Sequence, residues 1–191
     1  IHTLSLHDAL PIWRGLVIVS GRAGNGVTST LYSLVREQDA FIKQVFTIET
    51  RPDIDLENIT QIAVPRDEQL PAQVASALRR DPDVLMVDRC PDAQTAGLIH
   101  AAAAQKLMLT GMKADDAFEA LARWIKVCGS TDCVANLTLV TNQVLLRKLC
   151  PTCREPYRPD PQVLAKANLP TKGVESFFRP PSQALVDEKG R

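Results

Sequence analysis

The feature that most constrains this chain is a glycine-rich turn between an apolar run and a helix-permissive run. Residues 15–20 (G-L-V-I-V-S) are apolar and β-branched, which predicts a buried strand. Residues 28–36 (T-S-T-L-Y-S-L-V-R) place Leu31, Leu34 and Val35 on one helical face. A strand, a glycine turn and a helix N-terminus in succession aim backbone amides and the helix dipole at an anion.

The turn, residues 21–30, matches the phosphate-loop pattern G-x-x-x-x-G-K-[ST] except at one position. Gly21, Gly26 and Thr28 fit, but Val27 stands where the lysine belongs. The frame for a nucleotide is therefore present without its main cation, and a glycine turn with no ligand is the alternative. The predicted nucleotide-binding residues are Gly21, Arg22, Ala23, Gly24, Asn25, Gly26, Val27, Thr28 and Ser29, with Thr28 also the Mg²⁺ ligand.

The rest of the chain predicts an α/β domain with a largely parallel sheet, because strand and helix patterns alternate. We assign residues 13–149 to this domain. Residues 134–149 fit a helix or a strand equally well. The other predicted strands are residues 44–50, 61–64, 83–88 and 107–110, and the helices are residues 70–80, 92–106 and 114–127, with Asp92 as an N-cap.

Composition excludes few function classes. The chain has 191 residues, 45% of them hydrophobic, and a formal net charge of zero, so we expect no nucleic-acid partner. No apolar run is long enough to span a bilayer, and five cysteines without a secretory signal favour a reducing compartment. We interpret the chain as a fragment, and residues 1–12 as a non-native or disordered edge.

Five sequence blocks occur in an order that is highly specific. Residues 28–32 read T-S-T-L-Y, residues 47–49 read T-I-E, and an isolated Gln61 follows. Residues 78–87 then read L-R-R-D-P-D-V-L-M-V, and residues 143–153 end in C-P-T-C. In this order the chain resembles the C-terminal ATPase domain of type II secretion and type IV pilus assembly ATPases, the general secretory pathway protein E-like family.

That resemblance carries further expectations. It implies a RecA-like P-loop NTPase fold that binds ATP or ADP with Mg²⁺. It implies a hexameric ring of identical subunits on the cytoplasmic face of the inner membrane, bound there through a secretion or pilus platform protein. It makes Glu49 and Asp88 the candidate catalytic residues, as a base or metal-shell group and as the Walker B aspartate.

The departures from the family pattern concentrate at the positions that would act in ATP binding and hydrolysis. Val27 replaces the lysine, Asp88 and Arg89 replace the Walker B glycine and glutamate, and the two family histidines are Lys106 and Lys113. Because phosphoryl transfer depends on charge neutralisation, we expect very weak hydrolysis or none. Three alternatives stay open: a working ATPase in which Lys106, Lys113 or Arg89 supplies the cation, an interaction module without nucleotide, and a decaying gene.

The last segment changes in composition. Residues 150–191 are proline-rich, and we interpret them as a degenerate zinc-ribbon-like subdomain or a tail. Cys150 and Cys153 form a C-x₂-C, half of a Cys₄ zinc site, and no second pair follows. Cys128 and Cys133 are possible further ligands, but inert buried thiols are the simpler interpretation of these two cysteines and of Cys90.

Overall fold

The chain folds into two compact units in a computed structural model that describes residues 14–169 and 176–181. Unit 1 ends at Leu145 and unit 2 begins at Leu146, whereas the sequence placed the boundary after residue 149. The predicted non-native edge, residues 1–12, lies outside the described residues.

Unit 1 is built on one six-stranded sheet with the order β3-β2-β4-β5-β1-β6. Every pair of neighbouring strands is parallel, which confirms the expected α/β class. The strands are β1 (Gly15–Gly21), β2 (Val45–Glu49), β3 (Thr60–Ala63), β4 (Val84–Val87), β5 (Leu107–Lys113) and β6 (Leu137–Gln143).

In the part of unit 1 that the structure describes, four α-helices cover the sheet. They are α1 (Val27–Arg36), α2 (Leu70–Leu78), α3 (Ala93–Ala103) and α4 (Ala117–Cys128). Asp92 caps α3 by accepting a hydrogen bond from the Thr95 amide, as predicted, and Asp116 caps α4 in the same way. Short 3₁₀ turns occupy Asp67–Gln69 and Thr131–Val134.

Both faces of the sheet are buried, which explains why its strands read as unbroken apolar runs. On β1, Val17 and Val19 pack into a cluster with α1, while Leu16 and Ile18 pack into a second cluster with α2, α3 and α4. Because successive side chains of a strand point to opposite faces, one apolar run serves both cores.

Two strands differ from their sequence expectations, and the pairing of β1 explains both. β5 extends to Lys113, three residues beyond the predicted end at Thr110, because it pairs with all of β1 up to Gly21. The ambiguous residues 134–149 contain strand β6, which pairs with the other edge of β1. Hydrophobic periodicity alone does not separate a buried strand from a buried helix, so only this pairing decides the outcome.

The described residues of unit 2 form a short antiparallel pair, β7 (Glu155–Tyr157) and β8 (Phe177–Arg179), and one helix, α5 (Pro161–Lys166). Asp160 caps α5 through the Gln162 amide. Arg154 stacks over the Phe178 ring at 4.0 Å, and Leu164 is buried. Among residues 14–169 and 176–181, no helix has the length and apolar character needed to cross a membrane.

Candidate functional site

The glycine loop sits at the carboxyl end of β1 and leads directly into α1. Gly24 and Gly26 both have φ of +80°, a conformation that other residues rarely adopt. Gly26 is the N-cap, so no side chain caps the helix, and the first turn contains no acidic residue. The first amides of a helix have no intrahelical acceptor. These amides are therefore available to phosphate oxygens, and the backbone present fits an anionic ligand.

A side chain from the last strand holds this loop in shape. Gln143, at the end of β6, donates from Nε2 to the Asn25 carbonyl at 2.7 Å and accepts from Thr30 Oγ1 at 2.7 Å. The Leu145 amide donates to Asn25 Oδ1 at 3.2 Å. Gln143 had no expected role from the residue pattern alone. The available clue was its sequence position, because Gln143 follows an apolar run. If that run is a strand parallel to β1, its carboxyl end lies beside the glycine loop.

The Val27 side chain is partly buried and packs against the apolar cluster between α1 and the sheet. Its Cγ1 lies 3.3 Å from the point where a Cβ on Gly111 would stand, and that point is only 2.6 Å from the Asp88 carbonyl oxygen. The missing side chain of Gly111 thus lets β4, β5 and the start of α1 approach closely. The position of the P-loop lysine is filled by an apolar contact.

Asp88 follows β4 at the same edge of the sheet, and both of its carboxylate oxygens are hydrogen-bonded. Oδ2 accepts from the Thr50 amide at 2.6 Å and from Thr50 Oγ1 at 2.9 Å, while Oδ1 accepts from Arg89 Nη1 at 2.9 Å. The side chain is 20% exposed. Both carboxylate oxygens of Asp88 therefore have hydrogen-bond donors within the protein.

The Arg89 guanidinium donates hydrogen bonds to acceptors on several neighbouring segments. Its Nε donates to Asp67 Oδ1 at 2.6 Å, Nη2 donates to the Val64 carbonyl at 2.9 Å, and Nη1 also donates to Thr50 Oγ1. The guanidinium fork suits this geometry because its five donors are coplanar. Arg89 links the ends of β2, β3 and β4 and is oriented by them, so it is not a mobile cation.

Glu49 ends β2 and is almost wholly buried. Tyr32 of α1 donates to Oε2, while Thr47 and Gln61 donate to Oε1 at 2.5 Å and 3.2 Å. Burial, together with the hydrogen bond to Glu49, raises the pKa of Tyr32 to about 12, so the phenol stays a donor. Tyr32 lies one helical turn after Thr28, which places Glu49 beneath α1 and behind the loop.

The two family-histidine positions lie at opposite ends of β5. Lys113 pairs in register with Gly21 and is exposed at the carboxyl edge beside the glycine loop. Lys106 precedes β5, where it forms an ion pair with Asp81, and β5 rises roughly 20 Å from that end to Lys113. The expectation that Lys106 lies near the site is therefore wrong, because parallel strands bring only their carboxyl ends to the loop.

Arg22 of the loop is engaged with the segment after β5. Its Nε and Nη2 each donate to one oxygen of Asp115 at 2.9 Å, and both side chains are largely exposed. The hydrogen bond and charge of Arg22 hold the pKa of Asp115 below its usual value, and the charge of Lys113 adds to this. Of the basic candidates, Lys113 and Arg22 lie beside the loop.

The residues described contain no group of three or more His, Cys, Asp or Glu side chains arranged to hold a metal. In unit 1, burial and a hydrogen bond with Cys133 raise the pKa of Cys128 to about 12. Burial and the charge of Asp92 raise the pKa of Cys90 to about 12 as well. Such thiols remain protonated at neutral pH, which supports their interpretation as inert side chains.

Cys150 and Cys153 of unit 2 differ from the other thiols. The Cys153 and Thr152 amides, and then the Cys153 thiol, donate to Cys150 and lower its pKa to about 7, while the pKa of Cys153 is raised by the same pairing. A thiolate that accepts several hydrogen bonds is a ready metal ligand or nucleophile. The Cys150 thiol therefore has thiolate character near neutral pH.

We expect Cys150 to be alkylated with a midpoint near pH 7 and Cys153 only at a higher pH, since the thiolate is the nucleophile. The test is the rate of iodoacetamide labelling at each cysteine by mass spectrometry between about pH 5 and pH 9. Cys153→Ala is the control and should move the Cys150 midpoint upward, because it removes the thiol donor. A labelling midpoint at about pH 8.5 for Cys150 in the natural chain, the value of an unperturbed thiol, would contradict this expectation.

The chain is similar to known proteins over most of its length. The family model for type II/IV secretion system proteins matches residues 2–185. The chain belongs to this family. It is 32% identical over 168 residues to the type IV pilus assembly ATPase PilB of Myxococcus xanthus, which covers 85% of this chain and 30% of that relative. It is 32% identical over 150 residues to type II secretion system protein E of Pseudomonas aeruginosa, with 76% and 30% covered.

Solved structures of secretion and pilus ATPases share the fold of this family member. The Legionella pneumophila ATPase DotB aligns with a TM-score of 0.56 at 24% identity, over 64% of this chain and 37% of DotB. The pilus retraction motor PilT with bound ADP aligns with a TM-score of 0.52 at 25% identity, over 60% and 35%. These likenesses confirm the RecA-like fold. The chain spans about 30% of the length of the curated relatives above.

Proposed function

We propose that this chain is the nucleotide-binding module of a type II secretion or type IV pilus motor, and that it binds ADP or ATP but hydrolyses ATP very slowly or not at all. The observation that carries the proposal is the glycine loop. Its backbone keeps the geometry of a phosphate cradle, held by Gln143, while Val27 fills the lysine position with an apolar contact. Residues 21–29 would hold the phosphates through their amides.

The loss of hydrolysis follows from the groups around the loop. Asp88 is paired, Arg89 is tied to four acceptors, and Glu49 is buried under three donors. None of them is free to orient an attacking water, although Glu49 and Asp88 remain the candidate catalytic residues. Removal of a single electrostatic donor typically costs about 10²–10³ in rate, so the combined changes leave little activity.

Metal binding in this proposal is weak. Thr28 keeps the hydroxyl that contacts Mg²⁺ in phosphate loops. Both oxygens of the Walker B partner Asp88 already accept hydrogen bonds from Thr50 or Arg89, so Mg²⁺ would compete with these donors and would be held loosely. In unit 2, Cys150 and Cys153 would hold Zn²⁺ only with two further ligands from another segment or subunit.

Assembly is proposed from the family. We infer that the chain packs with copies of itself in a hexameric ring, and that a platform protein of the secretion or pilus system holds it at the cytoplasmic side of the inner membrane. The supporting observation is its similarity to assembly and secretion proteins such as PilB and protein E. No nucleic-acid partner is proposed for a chain of zero net charge.

Calorimetric titration of ADP and ATP into the purified chain tests the proposal, together with an assay of phosphate release. We expect saturable binding without measurable turnover. Turnover that is abolished by Lys113→Ala would support instead a working ATPase, because Lys113 is the exposed lysine level with Gly21. An absence of binding for both nucleotides would support a purely structural module.

A further inference from the structure

The pairing of Asp88 and Arg89 has a consequence for the ion that usually accompanies a nucleotide. A Walker B aspartate contributes to binding by holding Mg²⁺, which neutralises charge between the carboxylate and the phosphates. Here the guanidinium of Arg89 lies against one oxygen of Asp88 at 2.9 Å, and Thr50 donates twice to the other. The residues present therefore do not fit Mg²⁺ at this position.

We propose that Arg89 is a built-in cation that neutralises Asp88 in place of the divalent ion, so that the chain binds ADP equally well with and without Mg²⁺. The inference rests on the proposed nucleotide binding. It goes beyond the proposed function because it assigns metal independence to one ion pair of this chain, Asp88 with Arg89.

The charges support this assignment. The Asp88 carboxylate and the Arg89 guanidinium are 20% and 23% exposed, so their charges are only partly screened by solvent. Together they present no net charge to a phosphate group. The second acidic partner of Arg89, Asp67, is 58% exposed, which leaves it more strongly screened.

The position of the pair relative to the loop makes its charge relevant. Val87 pairs with Thr110 in the sheet, so Asp88 is level with Gly111, where an added Cβ would stand 2.6 Å from the Asp88 carbonyl oxygen and 3.3 Å from Val27 Cγ1. An uncompensated carboxylate at this edge would repel phosphates bound at the start of α1. Arg89 removes that repulsion, and its four acceptors keep it in place when no ligand is bound.

The experiment is calorimetric titration of ADP into the full chain, in excess Mg²⁺ and in EDTA. We expect the natural chain to give the same Kd in both buffers, within about threefold. Arg89→Gln should weaken binding roughly tenfold in EDTA, because Asp88 is left uncompensated, and Mg²⁺ should recover the loss. Asp88→Asn combined with Arg89→Gln removes the bare carboxylate and should restore metal-free binding.

The outcomes separate the two proposals. Binding by the natural chain that strengthens about tenfold or more with Mg²⁺ overturns this inference and leaves the proposed function standing. No ADP binding in either buffer overturns both. Arg89→Lys retains the charge and should keep metal-free binding stronger than Arg89→Gln does. Thermal denaturation verifies folding of the variants, and the two-buffer comparison of the natural chain stands if a variant fails to fold.

Discussion

Replacement of Val27 by lysine is expected to raise the affinity for ADP by roughly 10–100-fold, about 1.5–3 kcal/mol, the range of a hydrogen bond to a charged group. The glycine loop already provides the amide donors, and what it lacks is a cation. A lysine stem is apolar and can lie along the surface that Val27 now covers while the ammonium reaches the phosphates. Calorimetry of the natural chain and Val27→Lys side by side measures the gain.

Val27→Met is the matched control, because it lengthens the stem without adding charge. It should leave the ADP affinity within about twofold of the natural chain. An equal gain in both variants would assign the effect to shape. No gain in Val27→Lys would mean that the loop does not present its amides to phosphate as proposed. That result would favour the purely structural module that binds no nucleotide.

Trp124→Ala is expected to destabilise unit 1 by about 3–5 kcal/mol, a large fraction of the stability of a typical domain. Trp124 lies on α4, has no solvent exposure, and donates from Nε1 to the Cys133 carbonyl at 3.2 Å. The substitution leaves a cavity between α4 and the sheet and also removes the donor from a buried carbonyl. Urea denaturation followed by circular dichroism measures the change.

Trp124→Phe separates the two contributions at this position. It keeps most of the ring volume and loses the indole N–H, so we expect a smaller loss of about 1–2 kcal/mol. A cost for Trp124→Ala below about 1 kcal/mol would contradict the assigned packing of α4. Neither substitution touches the glycine loop, so folded protein should retain the ADP affinity of the natural chain.

Much of the fold was predictable because local signals coincide with the tertiary outcome. The apolar runs at β1 and β4 are buried on both faces, and Asp92 caps α3 where the pattern placed it. The glycine turn between β1 and α1 has its own backbone requirement, which Gly24 and Gly26 meet at positive φ. These features depend on neighbours in sequence, so the sequence alone predicts them.

The candidate site was only partly predictable. Residue types indicated a loop without its cation, and a strand that ends in Asp88. Sequence reasoning also placed Lys106 near the phosphates, because a motif carries no information about which end of a strand a residue occupies. Strand order and register corrected this by locating Lys106 at the amino end of β5 and Lys113 beside Gly21.

The sequence by itself determined that this chain forms a parallel α/β domain with a phosphate-type loop, since both follow from short-range periodicity and glycine placement. The tertiary structure alone decided what surrounds that loop. Gln143 reaches Asn25 across 118 positions. Arg89, which follows β4, joins Thr50 after β2 and both Val64 and Asp67 after β3. The physical reason is that a parallel sheet gathers distant strand termini at one edge, and their side chains are adjacent only after the sheet has formed.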